Sequence, residues 1–290
     1  METITTQLAA PRMRSTKLRQ VMGPLRTAAL VYVVAIIVVM ILASVIAPAG
    51  PLVQDISNKR LPVFAPGHLL GTDELGRDVL TRIMYGARIE LLIALGATVF
   101  AAITGTFMGM VGGFFGGLIE IVTMRLIVDV VLAFPPIILA LFAVTIYGPG
   151  PITLIMVMGV LFAPTFARIT YGQTLSVKRE EYVEAARAFG ARTPVTLFKV
   201  VLPNVSAPII VQFSLIMAQA ILLESGLSYL GLGVVPPEPS WGAMVAQGQR
   251  YIASDPMGLL VPSGVLVVTI LAFGLLGDGL RAYLDPKSRK

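Results

Sequence analysis

Long uncharged apolar runs alternate with short, turn-rich polar stretches along this chain. A helix needs about 20 apolar residues to cross a hydrocarbon core. Residues 28–47 form the first such run, without a charge. Residues 91–119 form a longer one, closing on Gly112-Gly113-Phe114-Phe115-Gly116-Gly117, which reads as a turn. Residues 126–167 hold one charge, Asp129, and are interrupted by Tyr147-Gly148-Pro149-Gly150-Pro151. Proline and glycine at that density end a helix, so this region predicts two spans in a hairpin. Residues 205–223 and 257–277 complete a set of six spans. The first is too long for a cleaved signal core of 7 to 15 residues, and is expected to be a retained anchor.

Composition agrees with this pattern. The chain is 56% hydrophobic and 13% charged, against roughly 25% charged in a soluble domain. So little charge could not cover so much apolar surface in water, and lipid must cover it instead. The absence of cysteine excludes disulfides and thiolate chemistry. His68, the one histidine, excludes a multi-histidine metal site. The formal charge of +6 does not point to nucleic acid, because the basic residues cluster between apolar runs, as the positive-inside rule requires.

Those clusters orient the spans. Arg12, Arg14, Lys17, Arg19 and Arg26 precede the first span, and Arg125 precedes the third. Arg168, Lys178, Arg179, Arg187, Arg192 and Lys199 lie between the fourth and fifth, and Arg281, Lys287, Arg289 and Lys290 follow the sixth. Six spans bring all of these to one side, predicted to be cytoplasmic, with both termini. Lys59, Arg60, Arg77, Arg82 and Arg88 in residues 48–90 run against the rule. The other long outer segment, residues 224–256, is rich in turns and carries the lone Trp241, expected as an interfacial anchor, with an outer gate or docking surface as the alternative for the loop.

Ion-coupled carriers and proton relays need ionisable groups inside the bilayer, each costing about 2.5 to 3.5 kcal/mol at a helix centre. Here the spans are almost empty of them. Asp129 lies four residues after Arg125, a spacing that predicts an interfacial ion pair, with a proton or substrate site as the alternative. Glu224 is expected at the outer boundary of the fifth span. Asp73 with Arg77 and Asp78 with Arg82 have the same helical spacing and predict a self-neutralising surface helix, a direct substrate contact being the alternative, with His68 a structural neighbour. The chain has no Gly-x-x-x-x-Gly-Lys-Ser/Thr loop and no Ser/His/Asp set. It is therefore expected to be non-catalytic, and energy for active transport must enter through a partner.

Residues 180–203 offer a place for that partner. Residues 180–189 favour helix and Gly190 is a left-handed stop. Tyr182, Ala185, Ala186 and Phe189 share one face, while Glu181, Glu184 and Arg187 decorate the rest. Thr193-Pro194 predicts the start of a second short helix, which Pro203 is expected to end. Periodicity alone leaves two readings open: a docking element, or a helix lying flat on the membrane.

Glu184-Ala185-Ala186, Gly190 and Val200-x-Leu202-Pro203, with their gaps, resemble the EAA loop of ATP-binding-cassette importer permeases, with valine where the family usually has isoleucine. His68 to Arg82, Leu227-Ser228-Tyr229-Leu230-Gly231-Leu232-Gly233 and Gly277-Asp278-Gly279-Leu280-Arg281 are similar to the C-type permeases of oligopeptide, dipeptide and nickel importers. The resemblance covers about residues 25–286.

It implies an all-α membrane protein with six transmembrane helices, the type I importer fold, with the last five forming the transport core and the first wrapping around it. It implies a cytoplasmic leader (1–27), a first span with an extracytoplasmic segment (28–87), a permease core (88–280) holding coupling loop 180–203, and a cytoplasmic tail (281–290). Glu184, Ala185, Ala186 and Gly190 would dock to an ATPase, with Leu202 and Pro203 framing the loop. The expected partners are a second homologous permease in a heterodimer, two ATPase subunits that bind ATP and Mg, an extracytoplasmic solute-binding protein, and inner-membrane lipid. The expected solute is a short peptide or a related small molecule. The alternative function is a self-contained channel or secondary carrier.

Overall fold

The computed structural model describes residues 23–284. Arg12, Arg14, Lys17 and Arg19 of the predicted leader, and Lys287, Arg289 and Lys290 of the tail, lie outside the described residues. Helix α1 is Pro24–Ile46, α2 Val79–Phe115, α3 Gly117–Leu132, α4 Pro136–Tyr147 and α5 Pro151–Val177. Helix α6 is Glu181–Ala188, α7 Thr193–Tyr229, α8 Trp241–Arg250 and α9 Met257–Leu284.

Five of these helices are long and apolar enough to cross a membrane: α1, α2, α5, α7 and α9. The third predicted span is not one rod. Helices α3 and α4 meet at 90°, as a broken span or a re-entrant loop. The break falls at Phe134-Pro135-Pro136. A proline bars the helical conformation at the residue before it and removes a backbone donor, so two in succession separate the segments. Counting the bent pair as one crossing makes six, the predicted number.

Helices α2 and α5 form the centre of the bundle. Gly105 and Gly109 of α2 lie so close to α5 that an added Cβ would stand 2.2 Å from the carbonyl oxygens of Ala163 and Ala167. Small residues at four-residue spacing let two backbones approach, which is how helices associate when lipid supplies no hydrophobic drive. Helix α1 buries only Ala29, Val33, Ile36 and Ala43, a single seam at helical spacing, and leaves Val31, Val34, Val38 and Ile41 exposed. The Tyr32 hydroxyl meets Thr269 Oγ1 of α9 at 2.8 Å and ties the seam down.

Residues 47–78 form a compact segment, not a surface helix. Asp73 accepts from Arg77 Nε at 2.6 Å and lies 3.5 Å from Arg82 Nε. Asp78 caps α2 by accepting from the Thr81 amide at 2.8 Å, and its second oxygen meets His68 Nδ1 at 2.9 Å. Arg77, Asp78 and Arg82 are buried. The predicted Asp78–Arg82 pair is thus replaced, because the α2 amides and the imidazole claim the Asp78 carboxylate. Gly76 makes the fold possible: at φ +74° it lies against Asp55, where a Cβ would stand 1.7 Å from the carbonyl oxygen.

Trp241 is not an interfacial anchor. It is fully buried at the start of α8, donating from its indole nitrogen to the Ile83 carbonyl at 3.1 Å, and it packs on Gly86. Ser240 accepts from the Ala243 amide to cap α8.

Candidate coupling surface and solute route

The 180–203 loop begins as predicted. Glu181–Ala188 is helical and stops at Gly190, whose φ is +80°. The Ala191 amide donates to the Ala186 carbonyl at 3.0 Å and the Gly190 amide to the Arg187 carbonyl at 2.9 Å. This is the Schellman arrangement, in which a left-handed residue satisfies the last helical carbonyls. Tyr182 is 44% and Phe189 92% exposed. Glu184 and Ala185 are exposed beside them, and Ala186 is half-buried.

The second half of the loop differs from expectation. No short helix ends at Pro203; residues Thr193–Tyr229 form one continuous helix. Residues Thr196–Val201 wind as a π-helix. Its wider i→i+5 turn admits Pro203, which lacks a donor and whose ring crowds the preceding turn. Leu202 is partly buried at the start of the regular α-helical part of α7, and Pro203 is exposed.

What α6 rests on was not apparent from its outward pattern. Val183 is fully buried against Val177 of α5, Met110 and Phe114 of α2, and Leu197, Val201 and Val205 of α7. A valine buried in this way contributes about 1.5 to 3 kcal/mol. The Arg187 guanidinium lies 4.5 Å from the Phe114 ring centroid. Lys178 Nζ donates to the Gly113 carbonyl at 2.6 Å. The exposed face of α6 is therefore mounted on three spans.

The predicted ion pair is corrected. Asp129 pairs with Arg168 of α5, Nη2 to Oδ1 2.8 Å, and not with Arg125. Residues Ile121–Val128 are π-helical, so the residue four positions on no longer lies above Arg125. Arg125 instead lies near Tyr171, whose hydroxyl donates to Glu120 at 2.7 Å.

Glu224 lies five residues before the end of α7, near the end of the span as expected, but it is buried in protein. Glu224 of α7 and Glu90 of α2 are both fully buried and are neighbours across the two helices. Ser228 donates to Glu224 at 2.6 Å and Ser225 to Glu90 at 2.7 Å. The signal available in sequence was the pair of serines, Ser225 next to Glu224 and Ser228 one turn along.

An open groove lies between α5, α7 and α9, lined by Gln173, Asn204, Gln212 and Arg281 among apolar neighbours. Such amides and a cation are costly against hydrocarbon. Among the described residues, no three His, Cys, Asp or Glu side chains gather to hold a metal ion.

Residues 101–290 match the family described as "Binding-protein-dependent transport system inner membrane component". The chain is 37% identical over 260 residues to the dipeptide transport system permease protein DppC of Alkalihalophilus pseudofirmus, covering 90% of this chain and 85% of that one. It is 42% identical over 219 residues to the di/tripeptide transport system permease protein DppC of Pseudomonas aeruginosa, covering 76% and 72%. It is 40% identical over 220 residues to the glutathione transport system permease protein GsiD of Pectobacterium atrosepticum, covering 76% and 73%. Among solved structures, an inward-facing form of the MetNI methionine ABC transporter shares the fold, with a TM-score of 0.56 and 21% identity, covering 70% of this chain and 96% of that one.

Proposed function

Because the chain belongs to the family of binding-protein-dependent transport system inner membrane components, a non-catalytic permease subunit of an ATP-driven importer, we propose that it couples ATP turnover on partner subunits to solute movement through helix α6. It is a multi-pass protein of the inner membrane. The self-contained channel or carrier has no support in that membership.

The observation that carries the coupling role is the mounting of α6. Its motif residues Glu184 and Ala185 face outward with Tyr182 and Phe189, while Val183, Arg187 and the neighbouring Lys178 fasten the loop to α2, α5 and α7. An ATPase would grip the exposed face, with Ala186 and Gly190 allowing close approach and Leu202 and Pro203 framing the loop. Closure of two ATPase subunits around ATP and Mg would then draw the α6 elements together and swing the spans from inward-open to outward-open. In this reading the second permease is a homologue, the pair forms a heterodimer, and the pathway lies between them.

The excess of lysine and arginine supports placing α6 and both termini in the cytoplasm. Residues 28–87 then give the first span and an extracytoplasmic segment where a solute-binding protein docks, and residues 88–280 the permease core. Helix α2 crosses the 87/88 division without a break, so the two parts share one rod. The relatives named for dipeptide, di/tripeptide and glutathione transport support a short peptide as the solute. Calorimetry on the partner binding protein would identify it.

Gly190→Asp and Glu184→Lys in the assembled complex test the coupling role. The expected result is loss of uptake and of substrate-stimulated ATP hydrolysis. Normal values of both would defeat it.

A further inference from the structure

The exposed charge pair Asp129–Arg168 stands in an unusual place. Arg168 lies nine residues before the α6-proximal end of α5, about 14 Å along the axis at 1.5 Å per residue. Both side chains are more than half exposed, at 56% and 52%. Ionised groups on membrane-crossing helices face protein or water rather than lipid.

The exposed stripe of α5 shows which. At four-residue spacing that face reads Met156 and Val160, dips to the buried Pro164, and surfaces again at Arg168 and Gly172. Its chemistry changes halfway along, from apolar to charged and open. Nothing lies within 4 Å of where a Gly172 side chain would begin. Gln173 follows and opens into the polar groove shared with Gln212 and Arg281. The charge pair and the groove thus occupy the same half of α5.

Asp129 adds a second feature. It begins the last α-helical turn before the 90° break, directly after the π-helical stretch. Broken helices and π-turns are where membrane helices place groups for transported solutes. More than half of each side chain is left uncovered by this chain, so a group from outside it can reach both partners.

We propose that Asp129 and Arg168 form a water-facing station on the solute route, where a carboxylate carried by the solute replaces Asp129 on Arg168. This rests on the importer reading above and narrows it to solutes with a free carboxylate. The guanidinium fork accepts such a group in two parallel hydrogen bonds, and Asp129 is left facing any cationic group the solute carries.

The chain has no cysteine, so Gly172→Cys introduces a single thiol one turn from Arg168. In the complete transporter reconstituted in liposomes, this thiol is reacted with small anionic and cationic thiosulfonates, and labelling is read on this chain's gel band. Both reagents are expected to react. Asp129→Asn should raise the anionic-to-cationic rate ratio at least about threefold and Arg168→Gln should lower it by a similar factor. The double variant should return it near the starting value, showing that the fold survives. No labelling in the assembled transporter, with full labelling after denaturation, would overturn the proposal. So would a ratio indifferent to both substitutions. ATP-dependent uptake by the unsubstituted transporter tests the importer reading separately, since labelling does not require transport.

Discussion

The Arg187 guanidinium lies 4.5 Å from the centroid of the Phe114 ring, joining helix α6 to the end of α2. At an exposed position such a contact is worth about 0.5 to 1 kcal/mol. Arg187→Ala is therefore expected to lower uptake about two- to fivefold while ATP hydrolysis continues. If force passes through this contact, Phe114→Leu should have the same effect, and the two changes together should cost little more than either. Additive losses in a double-mutant cycle would mean that the contact carries no coupling.

Within this chain Gly190 has open space around it, so what the fold itself requires there is the left-handed conformation. A residue with a Cβ in the left-handed region costs roughly 1 to 2 kcal/mol, and asparagine is tolerated best. Uptake by the Gly190→Asn transporter should accordingly exceed that of Gly190→Ala. Equal loss in both would instead point to a partner surface that admits no side chain.

Trp241→Ala should destabilise the chain by about 3 to 5 kcal/mol, the range for removing a large buried aromatic. Its fully buried ring and its bond to the Ile83 carbonyl set that expectation. Trp241→Phe keeps most of the packing and loses the hydrogen bond, worth about 1 kcal/mol. Thermal melting of the purified complex in detergent would rank them. An anchor at the lipid surface would make both changes mild.

Glu90 and Glu224 each use one carboxyl oxygen on a serine, and the second oxygen of each has no other protein donor. An amide in place of one carboxyl can donate to the other, so Glu224→Gln is expected to be nearly neutral in stability. Glu224→Ala leaves Ser228 and Glu90 without that partner, at about 1 to 3 kcal/mol. Comparable melting temperatures for these two variants would show that the pair does not hold α2 against α7.

Much of this architecture was legible in sequence where the signal was local. The apolar runs located the crossings, and Gly190 stopped α6 because a left-handed turn has few other solutions. Helix α6 and its stop were legible because the residues that set them share one short segment. The misreadings came from applying local rules where distant groups decide. Arg125 and Asp129 have an ion-pair spacing, but a π-turn separates them and Arg168 claims the carboxylate from another helix. Pro203 reads as a helix end, yet the preceding π-turn lets the helix continue. Phe134-Pro135-Pro136 carried the opposite signal inside an apolar run that otherwise reads as one span. Trp241 fits the interfacial pattern in composition, and only the fold brings Gly86 and Ile83 around it.

The unbroken course of α7 ties the two ends of the molecule into one beam. Its 37 residues extend about 55 Å. Leu197 and Val201 sit beneath α6, while Ser225 and Glu224 near the opposite end support Gly242 of α8 and Glu90. Because the helix does not break at Pro203, what seats itself at one end can tilt the other, with Pro208 as an interior point where the beam can flex. Ligand events above and below would then influence each other with equal strength in both directions, without any chain of side-chain rearrangements in between.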